Sequence, residues 1–209
     1  MMRTTAVGVL ASGRGSNFEA LARACRIADY PASIEILITD NPNAGAIGIA
    51  ASMGIQHAVV DCGPKRGSMT LESSAEMARI CEERGVGLIC LAGFMRIVKG
   101  EIMTRYRGRI LNIHPALLPS FRGLDGQKQA LEYGVRYSGC TVHFVDEGVD
   151  TGPIVIQRVV PVMQDDDVES LSARILTEEH IAYPAAVRLF AEGRLRIEGR
   201  RVLISDEPA

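Results

Sequence analysis

Strand-length apolar runs alternate with segments of helical period through the first half of this chain: AVGVLAS, NFEALARACRIA, IEILITD, AGAIGIAASMG and IQHAVVD follow one another with short breaks. Few architectures accept that order. A run that is apolar at every position has to be covered on both faces, and parallel neighbours need a crossover of helical length between them. The alternation therefore predicts parallel strands with crossover helices. LESSAEMARICEERG continues it as an amphipathic helix, VGLICLAG as a fully buried strand, and a further helix near Lys99–Tyr106 leads into the strand RILNIH.

The pattern then changes. QKQALEYG is helical, but YSGCTVHFVDEG and GPIVIQRVVPV are two longer strands joined by a short acidic, Gly-containing turn. Strands joined that closely run antiparallel. A long helix is expected from Val168 to Ala191, and RLRIEGRRVLI closes as a hairpin around Gly199. The fold class expected is α/β: an open, doubly wound, mostly parallel sheet with antiparallel C-terminal strands. No repeat, low-complexity tract or Pro/Ser-rich linker interrupts the 209 residues, so residues 1–209 are read as a single domain.

Charge and cysteine content narrow the classes of function. A formal net charge of -2 with no Lys/Arg block weighs against nucleic acid as a partner. No apolar stretch reaches membrane-span length, and the N-terminus enters a strand pattern too soon for a signal peptide, so the expected location is the cytoplasm. Five scattered cysteines without a C-x-x-C pair suggest reduced thiols rather than disulfides or a zinc site.

Three stretches carry candidate chemistry. Gly13-Arg14-Gly15-Ser16-Asn17 lies between the first strand and the first helix, where free helix-start N–H groups suit a phosphate. A plain tight turn is the alternative. The third glycine of a dinucleotide fingerprint is replaced by Phe18, so a single small phosphate fits better than NAD or FAD. In LNIHPALLPSFRG, Asn112 and His114 differ by two and share one face of a strand, where an amide and an imidazolium can both donate to one oxyanion. A turn-forming Asn112 and a core His114 are the alternative. VHFVDEGVDTGPIVIQ places Asp146, Glu147 and Asp150 in a turn with Gly148 and Gly152. It is either a solvated tip or, with Asp150 directly before a buried strand, a held carboxylate that favours the charged form of His114.

Taken together, VGVLASGRGSNFEAL, LAGFMRIV, LNIHPALLPSFRG, VHFVDEGVDTGPI, TEEHIAYP and the closing hairpin resemble the folate-dependent phosphoribosylglycinamide formyltransferase family of purine synthesis over nearly the whole chain. The resemblance implies transfer of a formyl group from 10-formyltetrahydrofolate to glycinamide ribonucleotide, with no metal. By it, Gly15, Ser16 and Asn17 hold the ribose phosphate and Glu179 contacts the glycinamide end. Met95, Arg96, Ile97 and Val98 line the pterin pocket, which the turn of Asp146, Glu147, Gly148, Val149 and Asp150 completes with backbone groups. Asn112, His114 and Asp150 fall on the catalytic positions: the first two meet the tetrahedral oxyanion, and Asp150 supports the charge of His114.

Two departures from the family pattern stand out. The Leu124–Gln127 loop lacks the histidine that members commonly carry after LLP, and for the arginine near the start of the third helix that assists ligand binding Lys65, Arg66 or neither is the counterpart. Formyl transfer to methionyl-tRNA would require a further C-terminal domain, and a formyltetrahydrofolate hydrolase a preceding regulatory domain. A chain whose first strand begins near Ala6 and which ends at Ala209 is expected to be neither. A non-catalytic nucleotide-binding module is disfavoured by the retained Asn112, His114 and Asp150. Monomer and homodimer both stay open.

Overall fold

In the computed structural model, residues 4–64 and 67–207 are described, and the Lys65/Arg66 expectation lies outside them. The chain divides into two compact units, Met1–Leu111 and Asn112–Ala209.

The first unit realises the alternation in order: β1 (Thr5–Leu10), α1 (Ser16–Ala24), β2 (Ala32–Thr39), α2 (Gly45–Ser52), β3 (His57–Val59), β4 (Gly67–Ser68), α3 (Leu71–Glu83), β5 (Leu88–Leu91), β6 (Arg96–Ile97) and α4 (Glu101–Arg105). Its main strands lie in the order β5-β1-β2-β3. All three pairings are parallel, with Val7 opposite Leu88 and Leu37 opposite His57. Val7, Val9 and Leu10 of β1 and every residue of β5 are buried, which is what an apolar run covered on both faces requires. β3 is shorter than IQHAVVD suggests. It lies at an edge, where only one neighbour supplies hydrogen bonds, and its side chains are exposed or half-buried.

Helix starts follow local chemistry. Thr70 caps α3 by accepting the Ser73 N–H at 3.1 Å, and Met77, Ala78 and Cys81 form its buried stripe. The two-residue strands β4 and β6 pair in parallel, Gly67 with Arg96 and Ser68 with Ile97. Nothing in the periodicity announced them, because two residues carry no period.

The second unit continues with β7 (Ile110–His114), whose last three residues open it, then α5 (Gly126–Tyr133), β8 (Tyr137–Phe144), β9 (Ile154–Pro161), α6 (Val168–Ala191), β10 (Leu195–Glu198) and β11 (Arg201–Ile204). The strand order here is β7-β8-β9-β11-β10. β8 and β9 are antiparallel, as are β10 and β11 around Gly199, and β9 meets β11 at a parallel bridge between Ile154 and Arg201. The helix α6 starts at a capping box in which Asp167 accepts the Ser170 N–H and the Ser170 hydroxyl accepts the Asp167 N–H. Its inner face, with Leu171, Ile175, Ala182 and Val187 buried, packs on β8 and β9. No helix among the described residues is long and apolar enough to cross a membrane.

Candidate active site

β7 ends at His114 because Pro115 has no N–H with which to continue a ladder. The loop that follows is pinned from β8 and β9. The Thr141 hydroxyl donates to the Ala116 carbonyl at 2.7 Å and accepts the Leu118 N–H at 3.1 Å, and the Gln157 amide donates to the Leu118 carbonyl at 2.9 Å. The turn between β8 and β9 is held internally. Asp146 Oδ1 accepts the Gly148 N–H at 3.1 Å and the Thr151 hydroxyl at 2.5 Å. The Asp146 side chain is therefore spent on the turn. Gly152 is obligatory, since a Cβ there would lie 1.7 Å from the Phe144 carbonyl oxygen. Asp150 itself adopts a left-handed backbone, φ 51°, which aspartate tolerates better than most residues and which aims its carboxylate inward.

Three side chains and one backbone N–H meet at that carboxylate. Asp150 Oδ2 lies 3.3 Å from His114 Nδ1 and accepts the Gly123 N–H at 2.8 Å. Oδ1 lies 3.6 Å from His143 Nε2 and accepts from Asn112 Nδ2 at 3.4 Å. The Asn112 amide also donates to His143 Nε2 at 3.1 Å. Asn112, His114 and Asp150 are thus brought together as expected, with His143 as a fourth member that the sequence reading missed. A signal was available: a histidine inside an otherwise apolar buried strand is costly unless it is partnered. What hid it is a register shift between Val142 and His143 in the β8/β9 pair, a bulge that re-aims the ring.

Carbonyl partners assign the tautomers. His114 Nε2 is 2.8 Å from the Phe121 carbonyl and His143 Nδ1 is 2.8 Å from the Phe144 carbonyl, so each of those nitrogens carries a proton. His143 Nε2 is then the acceptor for Asn112, and His114 Nδ1 is the nitrogen that titrates, facing Asp150. Burial pushes the His114 imidazole below its ordinary value, outweighing the opposite pull of the Asp150 carboxylate and the Phe121 carbonyl. Burial alone would raise the Asp150 carboxyl, but its contacts with His143, Gly123 and His114 hold it below the usual carboxylate range. A cleft of about 260 Å³ opens beside Asp150, lined by Leu118, Pro119, Arg122, Thr151, Gly152, Ile154 and Arg200.

Glu179 lies on the buried face of α6, while its neighbour Glu178 pairs with Arg158 of β9. In the first unit, Gly15 stands at the start of α1 with φ 87°, and a Cβ on it would come within 2.8 Å of the Ala46 Cα. No side-chain cap hydrogen bond is formed at that helix start, and a helix N-terminus favours an anion. Met95 and Ile97 expose apolar side chains, 57% and 49% accessible, whereas Val98 is buried. Arg96, between the first two, turns inward to Asp40 at 2.6 Å, and this hydrogen bond holds its guanidinium still more firmly protonated than usual.

A family model described as formyl transferase matches residues 5–187. The trifunctional purine biosynthetic protein adenosine-3 of Drosophila pseudoobscura pseudoobscura is 46% identical over 192 residues, 91% of this chain but 14% of that protein. This chain therefore spans only about a seventh of that relative's length. The phosphoribosylglycinamide formyltransferase of Haemophilus influenzae is 38% identical over 92% of this chain and 90% of its own length. The crystal structure of glycinamide ribonucleotide transformylase 1 from Symbiobacterium toebii superposes with a TM-score of 0.91 at 48% identity, covering 97% of this chain and 95% of that one.

Proposed function

The chain belongs to the formyl transferase family, and on that premise we propose that it transfers the formyl group of 10-formyltetrahydrofolate to the amine of glycinamide ribonucleotide, a step of purine synthesis. The observation that carries the proposal is the convergence of Asn112, His114 and His143 on one Asp150 carboxylate. We read residues 1–209 as one formyltransferase domain, in keeping with a family match that runs over residues 5–187.

In this reading the amine attacks the formyl carbon, a C–N bond forms, and the carbonyl oxygen becomes an oxyanion. Asn112 supplies one donor: its 3.4 Å contact with Asp150 is the weaker of its two and gives way, while the 3.1 Å contact with His143 keeps the amide oriented. His114 supplies the other from Nε2, where the oxyanion takes the place of the Phe121 carbonyl. The proton lost by the attacking nitrogen is received by the Asp150 carboxylate, whose Oδ2 also faces His114 Nδ1 at 3.3 Å. The same proton then goes to the departing folate nitrogen as the C–N bond to the donor breaks, so charge and atoms balance.

The amides of Gly15, Ser16 and Asn17 suit a ribose phosphate, Glu179 the glycinamide end, and Met95 and Ile97 an apolar heterocycle. Asp146, Glu147, Gly148 and Val149 take part through the turn that presents Asp150. The test is incubation with 10-formyltetrahydrofolate, with and without glycinamide ribonucleotide. Formylated product that appears only with the amine supports the proposal. Deformylation at the same rate without the amine replaces it with hydrolysis.

A further inference from the structure

The segment 93–97 has little holding it in place from its own backbone pairing. β6 is two residues long and pairs with the equally short β4. An isolated pairing of that length is worth little in water. Further ties come from the ends of two main strands. Ser12, just past β1, donates its N–H to the Gly93 carbonyl at 3.1 Å and accepts the Met95 N–H on its hydroxyl at 2.9 Å. Asp40, just past β2, accepts from Arg96 Nε at 2.6 Å.

The second tie differs in kind from the first. Asp40 is 6% exposed and Arg96 17%, so the pair is largely withdrawn from water and barely screened. Among the described residues Asp40 Oδ1 is buried without a hydrogen-bond partner, and the Arg96 guanidinium is the counterion of a carboxylate that has already lost its solvation. Releasing the guanidinium would strand that charge. The contact therefore fixes which way Arg96 faces, and with a period of two it fixes which way its neighbours face. Arg96 in means Met95 and Ile97 out, and those are the two exposed apolar side chains of the segment.

We infer that Asp40 is a positioning residue for the pterin end of the folate: by anchoring Arg96 it holds Met95 and Ile97 as a preformed apolar shelf. The inference rests on the folate reading above. Asp40 does not touch the reacting atoms, and its effect passes through Arg96. A flexible shelf would bind the same heterocycle after paying to order the segment, so the loss falls on folate affinity rather than on the chemical step.

The test compares wild type with Asp40→Ala and Asp40→Asn by calorimetric titration with 10-formyltetrahydrofolate, steady-state kinetics and thermal melting. Asp40→Ala is expected to weaken folate binding about tenfold or more, with kcat and the KM for glycinamide ribonucleotide within about threefold of wild type. Asp40→Asn, which keeps an acceptor oxygen but not the charge, is expected to fall between, and it is the variant to rely on if the alanine protein does not fold. In an Arg96→Ala background, Asp40→Asn should raise the melting temperature, because it removes a stranded charge, and should leave folate affinity within about twofold. Folate affinity in Asp40→Asn within twofold of wild type, or equal rises in both KM values, overturns the inference while leaving the proposed reaction standing. Wild type that binds no folate at all removes the reaction and the inference together.

Discussion

His114 faces Asp150 through Nδ1, 3.3 Å from Oδ2, while the other edge of the same ring is bound at 2.8 Å to the Phe121 carbonyl. One nitrogen is thus committed as a donor, and the second is left to gain or lose a proton against a carboxylate. Burial favours loss and Asp150 favours gain, and burial prevails.

The first prediction concerns that balance. Asp150→Asn removes the charge that pulls the His114 pKa upward, so the value should fall further below the ordinary histidine range, as read by NMR titration. The sign carries over to stability. A histidine whose folded pKa is depressed contributes stability that is present above its unfolded value, about 6.5, and is lost as pH falls toward the folded value. In wild type, urea unfolding should therefore show stability declining as pH drops below about 6.5, and in Asp150→Asn the decline should continue to lower pH. A His114 pKa that rises in the variant would falsify the electrostatic link.

His143 should matter through Asn112. With His143→Ala the amide loses its 3.1 Å acceptor and keeps only the longer contact to Asp150, so it is free to turn. Single-turnover formyl transfer should slow by about tenfold to a hundredfold, with folate affinity within about threefold. His143→Gln, which can place an amide oxygen near the same point, should recover part of the rate. An unchanged rate in the alanine variant would mean that Asn112 is oriented by something else.

Two glycines of the Gly13–Asn17 turn, proposed above to meet a ribose phosphate, should separate fold from function. A Cβ on Gly13 meets nothing within 4 Å, so Gly13→Ala should melt within a few degrees of wild type while raising the KM for glycinamide ribonucleotide by about tenfold and sparing that for folate. Gly15→Ala combines a φ of 87° with a 2.8 Å approach to the Ala46 backbone, and should cost stability by about 1–3 kcal/mol. If Gly13→Ala shifts neither KM, the turn is structural.

The 121–124 segment carries both the Phe121 carbonyl and the Gly123 N–H that engage the site. Its anchor is Gln129, whose amide donates to the Arg122 and Leu124 carbonyls at 3.2 and 2.8 Å. Gln129→Ala should slow formyl transfer by about tenfold by letting both groups drift. Gln127→Ala, in the loop that lacks the family's histidine, should stay within about threefold in the single-turnover rate. A hundredfold loss from Gln127→Ala would reveal a catalytic group outside the set described above.

Elements were legible in the sequence wherever the signal was local and repeated. Alternating runs placed β1, α1, β2 and β5, the acidic Gly-containing turn joined β8 to β9, and the bounds of α6, Val168–Ala191, coincide with the expected ones because a capping box and a long amphipathic stripe both act within the helix. The pairing of Asn112 with His114 followed from strand period alone. Side-chain meetings between distant positions did not follow. His143 reaches Asn112 across 31 positions beside a register shift in the β8/β9 pair, Gly123 bonds Asp150 across 27, and Arg96 finds Asp40 across 56 positions. The downward pull of burial on the His114 imidazole did not follow either. A neighbouring carboxylate can be guessed from a motif, but desolvation depends on everything packed around the ring, and only the tertiary structure decides that.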